Sequence, residues 1–312
     1  MEPGLSRGAV RTARGYFRRR RLRIWGNMAL LLVILGVVGT LVVPPLRKLG
    51  ALPLLAVVMA AAVFLFFWVL RRQQRRQAQP PEYLVQVRPL LARELYPRCT
   101  FSLLGSRVEI AARLEAGAAQ VFRGALQEYG GTLTLSTPEG PVLAHDITEE
   151  RGDTDSSLYY DWVVYEYALP AGNRWREISF AQITCSGPDS SSGPHPGPLA
   201  GALRRVFSRR AIPRAGGLEE RPVPNTPLTL LTGEQARCQA LLAGEGAAPL
   251  LRFFRENGPG YTVCYCQGTL FVFSYGRRLD QRWTRTGRFQ PDLVLDNARA
   301  VRRAMPMLPS LV

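Results

Sequence analysis

The sequence predicts an N-terminal transmembrane helical hairpin followed by a soluble α+β domain, in which flanking helices accompany an antiparallel β-meander. Three observations predict this fold class. Two apolar segments, residues 24–46 and 49–70, are each long enough for a membrane-spanning helix, which needs about 20 mostly apolar residues. Alternating apolar and polar residues between 133 and 185 indicate strands. Apolar residues at helical spacing lie on both sides of them in the chain.

The two apolar segments are separated only by a short polar break, Arg47 and Lys48. Because backbone N–H and C=O groups in hydrocarbon must bond within the segment, each segment is expected to be helical. Pro44 and Pro45 predict the end of the first helix, since proline removes a helix hydrogen bond. No A-x-A-like site follows the first apolar core, so an uncleaved anchor is predicted.

Arginines on both flanks of the hairpin predict its orientation. Eight precede residue 24, and four more follow the second segment. The positive-inside rule then places both chain ends in the cytoplasm, as in a two-span protein of a cell inner membrane. The bilayer itself is the first expected partner, and its anionic lipid headgroups are expected to contact the four later arginines. These candidate lipid contacts are Arg71, Arg72, Arg75 and Arg76.

The net charge of +16 is concentrated in this part of the chain. Residues 1–80 hold fourteen arginines and lysines and one acid, a net charge of +13, which leaves +3 for residues 81–312. Membrane topology therefore accounts for the basicity, and no nucleic-acid partner is predicted. The five cysteines have no disulfide-like spacing, which suits a reducing cytosol. The predicted organisation is a basic cytosolic tail (1–23), the hairpin with juxtamembrane arginines (24–76) and a cytosolic α+β domain (82–312).

The first half of that domain is predicted to be helical and then extended. Residues 82–95 have helical spacing that Pro89 interrupts, and a longer helix is expected over residues 112–129, ended by Gly130 and Gly131. Four strands of a meander follow, and an acidic loop is expected between the second and third. The expected strands lie around residues 133–135, 143–147, 158–168 and 178–185, and the acidic loop covers 149–155.

The second half begins with a stretch rich in Gly, Pro and Ser, which predicts a flexible connection at about residues 186–227. Helices are then expected over 232–243, opened by a capping box at Thr232, and over 249–257. A β-hairpin is predicted across Gln267-Gly268, between strands at 261–266 and 269–275. The last helix is expected to bury Val294, Ala298, Val301 and Met305.

Cysteine and histidine provide the only candidate reactive groups. Cys264 and Cys266 alternate along one predicted strand and share a face, but no further ligands stand at metal-binding spacing, so core packing is favoured. His145 is expected to be a satisfied, half-buried residue, and His195 to lie in a flexible loop. A couple of Cys185 with either histidine lacks a group that orients the base. No catalytic, cofactor or metal residue is therefore predicted.

Two further arginine clusters, around residues 204–210 and 277–288, are expected to be solvated faces or lipid-docking surfaces, balanced by acids between 139 and 161. The segment around Asp153 and Asp155 resembles the start of a calcium loop, but it lacks the glycine and the late glutamate of that motif.

One part of the sequence resembles a known family. It runs from Leu230-Leu-Thr-Gly-Glu-Gln-Ala-Arg to Gly268-Thr-Leu-Phe-Val-Phe, and Leu279-Asp and the final helix follow. Together with the order of the elements, it is similar to the bacterial membrane proteins catalogued as domain of unknown function 3137. The resemblance implies a bacterial inner-membrane protein and carries no activity or site residues. The stretch at 186–227 departs from the family pattern.

Two functions remain open at this point. The absence of a polar constellation with catalytic spacing favours a non-enzymatic, membrane-anchored cytosolic binding or scaffolding domain that engages a protein partner or anionic lipid. The alternative is a membrane-tethered enzyme that uses Cys185, Cys264 or Cys266 as a nucleophile. A transporter or channel is disfavoured, because neither apolar segment contains a charged residue.

Overall fold

The computed structural model describes residues 4–48, 82–103, 107–118, 121–122, 124–151, 158–185, 218–281 and 288–312. The chain divides into two compact units. The first, here called the N-terminal unit, comprises Leu5–Arg88 and Arg282–Pro291. The second, the sheet unit, comprises Met1–Gly4, Pro89–Gln281 and Asp292–Val312.

The N-terminal unit is built on one long helix, α1 (Arg7–Lys48), of 42 residues. The Oγ atom of Ser6 accepts a hydrogen bond from the Ala9 backbone N–H at 3.1 Å and so caps the first turn. The predicted stop at Pro44 and Pro45 is wrong, because the helix continues through both prolines to Lys48. A proline inside a helix removes one hydrogen bond, which weakens the helix locally and does not by itself end it.

The membrane hairpin stays a prediction. Its first segment lies within α1, whereas residues 49–81, with the second segment and the four candidate lipid-contact arginines, lie outside the described residues. Within the part of the chain that is described, no helix was found with the length and apolar character needed to span a membrane.

The interruption predicted near Pro89 is confirmed. A π-helical turn, Tyr83–Val87, runs directly into α2 (Arg88–Leu95). The wider turn stands immediately before the proline, where the regular hydrogen-bond ladder cannot be completed.

The sheet unit contains a nine-stranded antiparallel sheet in the order β1-β2-β3-β4-β9-β8-β5-β7-β6. The α+β class predicted for this part of the chain is therefore confirmed. The strands are β1 (Cys99–Ser102), β2 (Ala125–Thr137), β3 (Gly140–Arg151), β4 (Leu158–Ala168), β5 (Ala181–Cys185), β6 (Glu219–Pro222), β7 (Leu228–Thr232), β8 (Tyr261–Cys266) and β9 (Thr269–Tyr275).

The meander is confirmed for β2, β3 and β4 and wrong for β5. The hairpin of β8 and β9 lies between β4 and β5, so β4 pairs with β9 and β5 pairs with β8. That hairpin has the predicted bounds and turn: Gln267 and Gly268 have φ values of 46° and 80°, as a type I′ turn requires.

The helix predicted over residues 112–129 is wrong in its second half. The helix α3 covers Arg107–Ala118, and Ala125 already begins β2. Gly131 ends no helix: it lies at a bulge in β2 with φ +115°, and a Cβ there would approach Phe101 Cζ to 2.6 Å. The predicted flexible stretch also ends earlier than expected, because Glu219–Pro222 forms the edge strand β6; residues 186–217 lie outside the described part.

Helices cover the two faces of the sheet. On one face, Ile110 and Leu114 of α3 pack with Phe122, Leu126 and a buried cluster on the strands, completed by Ile147, Trp162, Val164, Cys264, Phe271 and Phe273. On the other, Tyr265 of β8 donates to the Leu311 carbonyl at 2.7 Å, in the C-terminal 3-10 turns.

The remaining helices lie near their predicted positions, but the capping box predicted at Thr232 is wrong. They are α4 (Gln235–Leu242), α5 (Ala248–Asn257) and α6 (Pro291–Ala304). Thr232 ends β7, and α4 begins only at Gln235, where the N-cap residue Glu234 makes no side-chain capping hydrogen bond. Gly258 ends α5 with φ +90°, and the predicted buried side of the last helix is confirmed.

Candidate functional site

A row of arginines on α1 lines a cleft of the N-terminal unit. Arg7, Arg11, Arg14, Arg18 and Arg21 recur at alternating steps of four and three residues. This period of 3.5 residues keeps all five on one face of the helix. At 1.5 Å per residue, the row extends about 21 Å along the axis.

The cleft has a volume of about 970 Å³ and a mixed lining. Half-buried Val10 and buried Phe17 also line it, and Arg288 with Phe289 supplies another wall. The Phe17 ring packs against Tyr83 and Phe289, with ring centroids 5.8 Å and 5.9 Å away. These aromatic contacts hold the two walls of the cleft together.

Among the described residues, the arginines of the row lack the carboxylate partner that the neighbouring face of α1 has. Glu82 accepts from Tyr16 at 3.2 Å and pairs with Arg20 at 3.4 Å, on the neighbouring face of α1. In the described parts of the chain, no carboxylate lies within 4.0 Å of the five arginines of the row. Like charges at these spacings cost a helix about 0.2–0.5 kcal/mol per pair, so the four successive pairs cost roughly 1–2 kcal/mol. A polyanionic partner would relieve that repulsion.

The arginine predictions have different outcomes. Arg71, Arg72, Arg75 and Arg76 lie outside the described residues, and so does the cluster at 204–210. In the third cluster, Arg288 is exposed and lines the cleft, whereas Arg278 is buried. A solvated face is therefore the wrong interpretation for Arg278.

Arg278 is the centre of a buried ionic cluster in the sheet unit. Its Nε lies 2.6 Å from Asp146 Oδ1, its Nη1 3.0 Å from Asp161 Oδ1, and its Nη2 3.2 Å from Glu128 Oε1. Nη1 also donates to Thr148 Oγ1 at 2.6 Å. The side chain of Arg278 is only 3% exposed.

This cluster joins four strands. Its acids lie on β2, β3 and β4, and Arg278 follows the end of β9 by three residues. Because the guanidinium offers donors in a planar fork, one arginine reaches all three carboxylates. The arrangement fixes the path of the chain after β9, and nothing in it presents a reacting group to solvent.

A second polar network crosses the opposite face of β2, β3 and β4. Tyr129 and Thr132 share a hydrogen bond of 2.6 Å, and Thr132 Oγ1 lies 2.8 Å from His145 Nδ1. His145 Nε2 lies 3.0 Å from Glu166 Oε2, and Arg113 of α3 donates to the other oxygen of that carboxylate at 3.0 Å. Burial alone raises the pKa of Glu166, but the hydrogen bond and charge of His145, with Arg113, bring that pKa below its ordinary value.

The order of groups in this network, hydroxyl, imidazole and carboxylate, is that of a catalytic triad. The exposed fractions are 8% for Thr132 and 2% for His145, so the hydroxyl is not presented to a substrate. The network therefore satisfies His145, as the sequence predicted, but the side chain is buried and not half-buried as expected.

Glu149, expected in a solvated acidic loop, is instead fully buried within β3. It accepts hydrogen bonds from the Gly124 backbone at 2.6 Å, from Arg151 Nε at 2.7 Å and from Trp162 Nε1 at 2.9 Å. Residues 152–157, with Asp153 and Asp155, lie outside the described part. The buried acids Asp146 and Glu149 lie in a run of polar residues, 145–150, that only Ile147 interrupts. This run was the sequence signal for their burial, because the strand that contains it is covered on both faces.

Three of the five cysteines, Cys238, Cys264 and Cys266, are buried packing groups, and Cys99 and Cys185 are half-buried. Burial raises the pKa of all five thiols and raises that of Cys264 well above its ordinary range. Cys264 lies in the core with Phe271, and Cys266 donates to the Ser179 carbonyl at 3.1 Å. No group of three potential metal ligands was found among the described residues.

The nucleophile–base couples have no support in this arrangement. Cys185 is on β5 and His145 is on β3, four strand positions away in the sheet. At about 4.8 Å per strand, the two residues are separated by roughly 19 Å or more. The couple of Cys185 with His145 is therefore wrong, and His195 lies outside the described residues.

The chain matches no family model, and comparisons with curated proteins and with solved structures found no similar protein. The resemblance to the two-span bacterial family therefore stays a prediction.

Proposed function

We propose that this chain is a membrane-anchored binding protein, held at the inner face of a bacterial inner membrane, whose basic N-terminal unit engages a partner in the cytosol. The observation that supports the proposal most is the continuity of α1. One helix, Arg7–Lys48, carries both the arginine-lined cleft and the first apolar segment. Anchoring by that segment would hold the cleft at a fixed place beside the bilayer.

The charge distribution supports the same proposal. Arg21 is three residues before the first apolar segment, and Arg71, Arg72, Arg75 and Arg76 follow the second one. In the two-span topology, these groups lie together at the cytoplasmic headgroup level. Each basic residue near an anionic leaflet contributes about 1 kcal/mol of attraction, so the four later arginines contribute about 4 kcal/mol to anchoring.

The enzymatic alternative has less support. A cysteine nucleophile reacts as its thiolate, and such cysteines normally have a lowered pKa and an exposed sulfur. All five thiols here have a raised pKa, and Cys238, Cys264 and Cys266 are buried.

Extraction and topology measurements test the proposal. The protein should stay in the membrane pellet after alkaline carbonate, and a reporter fused after Val312 should be active only in the cytoplasm. Neutral replacement of the four arginines that follow the hairpin should reduce that cytoplasmic signal. Release of the wild-type chain by carbonate, or a reporter that is active outside the cytoplasm, would contradict the anchored topology.

A further inference from the structure

A chain of hydrogen bonds across β2, β3 and β4 connects a half-buried hydroxyl to a buried imidazole. Tyr129 Oη lies 2.6 Å from Thr132 Oγ1, which lies 2.8 Å from His145 Nδ1. On the other side of the ring, His145 Nε2 lies 3.0 Å from Glu166 Oε2, and Arg113 donates to the second oxygen of that carboxylate at 3.0 Å. Because both ring nitrogens have a partner, the imidazole keeps two contacts whether it is neutral or protonated.

The carboxylate fixes the direction of these bonds when the ring is neutral. Burial raises the pKa of Glu166, but His145 and Arg113 bring it below its ordinary value, so this group is ionised and accepts both bonds. The hydrogen of the neutral ring therefore lies on Nε2, and Nδ1 accepts from the Thr132 hydroxyl. The Thr132 oxygen in turn accepts from Tyr129, so both hydroxyls donate towards the histidine.

Protonation of the ring reverses this order. A proton from solvent that binds His145 Nδ1 turns that nitrogen into a donor, so the Thr132 hydroxyl no longer donates to it. The Thr132 hydrogen then turns to Tyr129 Oη, and the Tyr129 hydrogen turns away from the chain. One proton is taken up, two hydroxyl groups rotate, and no bond between heavy atoms changes. Histidine is the side chain that ordinarily changes its charge between about pH 5 and 8.

We propose that this network is a pH-sensitive switch, in which protonation of His145 reverses the two hydroxyl bonds and loosens the contact between Arg113 and Glu166. The protonated ring adds a second cation to a carboxylate that otherwise pairs with Arg113 alone. The Arg113 side chain is 48% exposed, so water replaces the part of this contact that is lost. Because Arg113 belongs to α3, a proton in the core changes how this helix is held to β4. The switch requires neither the membrane anchor nor a partner.

Charged and titratable groups reach the imidazole from each element of the network. Glu166 comes from β4, Arg113 from α3, and Tyr129, whose pKa is raised by burial, from β2. Asp146, the neighbour of His145 on β3, lies on the opposite face of the sheet beside Arg278. The raised pKa of Tyr129 and the lowered pKa of Glu166 keep both groups in one form near neutral pH. A change of charge in this network near neutral pH therefore belongs to the imidazole.

Nuclear magnetic resonance of the full-length protein in uncharged detergent micelles tests the switch. The chain has two histidines, so isotope-labelled histidine in a His195→Gln variant isolates the ring signals of His145. Above its titration midpoint the ring should carry its hydrogen on Nε2, and below it both nitrogens should be protonated. The ring carbon that bears the Tyr129 hydroxyl, assigned with Tyr129→Phe, should shift with the same midpoint. Amide hydrogen exchange of α3, measured relative to that of α5, should be faster below this midpoint.

Three variants and one control separate the steps. Thr132→Val should leave His145 titrating but remove most of the pH-dependent shift of Tyr129, since the connection between them is broken. Glu166→Gln should lower the His145 midpoint by about 1–3 pH units, because the opposite charge beside the ring is lost. Glu256→Gln, the same change at an exposed residue of α5, should move that midpoint by less than about 0.3 units.

The third variant, Arg113→Gln, should remove the pH dependence of α3 exchange and leave the Tyr129 shift intact. Each of four outcomes would overturn the proposal: a folded chain whose His145 does not titrate between about pH 5 and 8, a neutral ring with its hydrogen on Nδ1, a Tyr129 carbon that does not follow the histidine, or α3 exchange that does not change at the midpoint. Near-ultraviolet circular dichroism of every variant should match that of the wild-type chain over this pH range.

Discussion

Replacement of Arg278 by methionine removes the guanidinium at the centre of the buried cluster while conserving most of the side-chain volume. Three carboxylates, those of Glu128, Asp146 and Asp161, then lose the guanidinium that lies within 3.2 Å of each. Their side chains are at most 9% exposed, so water cannot replace the lost partner fully.

The expected destabilisation is large. Removal of one partner from a buried ion pair costs about 3–5 kcal/mol of unfolding free energy, because the remaining charge stays buried. In a unit of 150–250 residues, each kcal/mol lowers the unfolding midpoint by roughly 2–4 °C, so a fall of about 10 °C is expected. Arg278→Lys should recover only part of this loss, since one ammonium cannot reach the separate positions that Nε, Nη1 and Nη2 occupy.

Thermal unfolding followed by near-ultraviolet circular dichroism measures the effect on the full-length protein in detergent. Arg252→Met is the control: this arginine is 66% exposed in its ion pair with Glu256 and should cost less than about 1 kcal/mol. Glu128→Gln should also cost less than Arg278→Met, because it removes one of three clustered negative charges and keeps an acceptor. Equal midpoints for the Arg278→Met and Arg252→Met variants would refute the reasoning.

Three further predictions concern the sheet unit. The pKa of Glu166 is lowered in the folded chain, so its carboxylate stabilises the fold at pH values above the ordinary pKa of 4.5, and this stabilisation is lost as the pH falls through the folded pKa. Glu166→Gln should therefore cost about 1–3 kcal/mol of unfolding free energy at pH 7. Below pH 4.5, the unfolding curves of the two proteins should converge. Maleimide should label half-exposed Cys99 in the folded chain and leave Cys264 unmodified by mass spectrometry until the chain unfolds; early labelling of Cys264 would revive the thiol alternative. Gly131→Ala should lower the unfolding midpoint more than Gly172→Ala. Both glycines have a positive φ, but only at Gly131 would a Cβ lie within 4 Å of other atoms. Equal effects would show that the Phe101 ring moves aside.

Local signals in the sequence predicted the elements whose chemistry is local. The Gln267-Gly268 turn specified the β8–β9 hairpin, and Gly258 specified the end of α5. The apolar residues over 112–129 have helical spacing, but the single helix predicted from it is wrong. The spacing has a physical reason, since Leu114, Phe122 and Leu126 do pack in one core. Shared burial produced the spacing, although α3 and β2 are different elements.

The polar sites depended on pairings that no local pattern contains. The arginine row has a period of 3.5 residues, which the sequence does contain, so the charged wall of the cleft could have been predicted from it. The Arg278 cluster joins residues 117–150 positions apart, which only the strand order brings together. The partners of His145 were also missed, since Glu166 is 21 residues away on the next strand.

The position of β9 in the sheet also affects how the chain folds while it is being synthesised. Beta-strand 4 ends at Ala168, and the strand that covers its outer edge ends at Tyr275, over a hundred residues later. At a synthesis rate of about 5–20 residues per second, the edge of the tyrosine-rich strand β4 stays unpaired for roughly 5–20 s. An open edge of this kind readily pairs with other chains. A chaperone bound at the ribosome should therefore crosslink to nascent chains that are stalled between these two strands, and the crosslink should be lost once β9 has emerged.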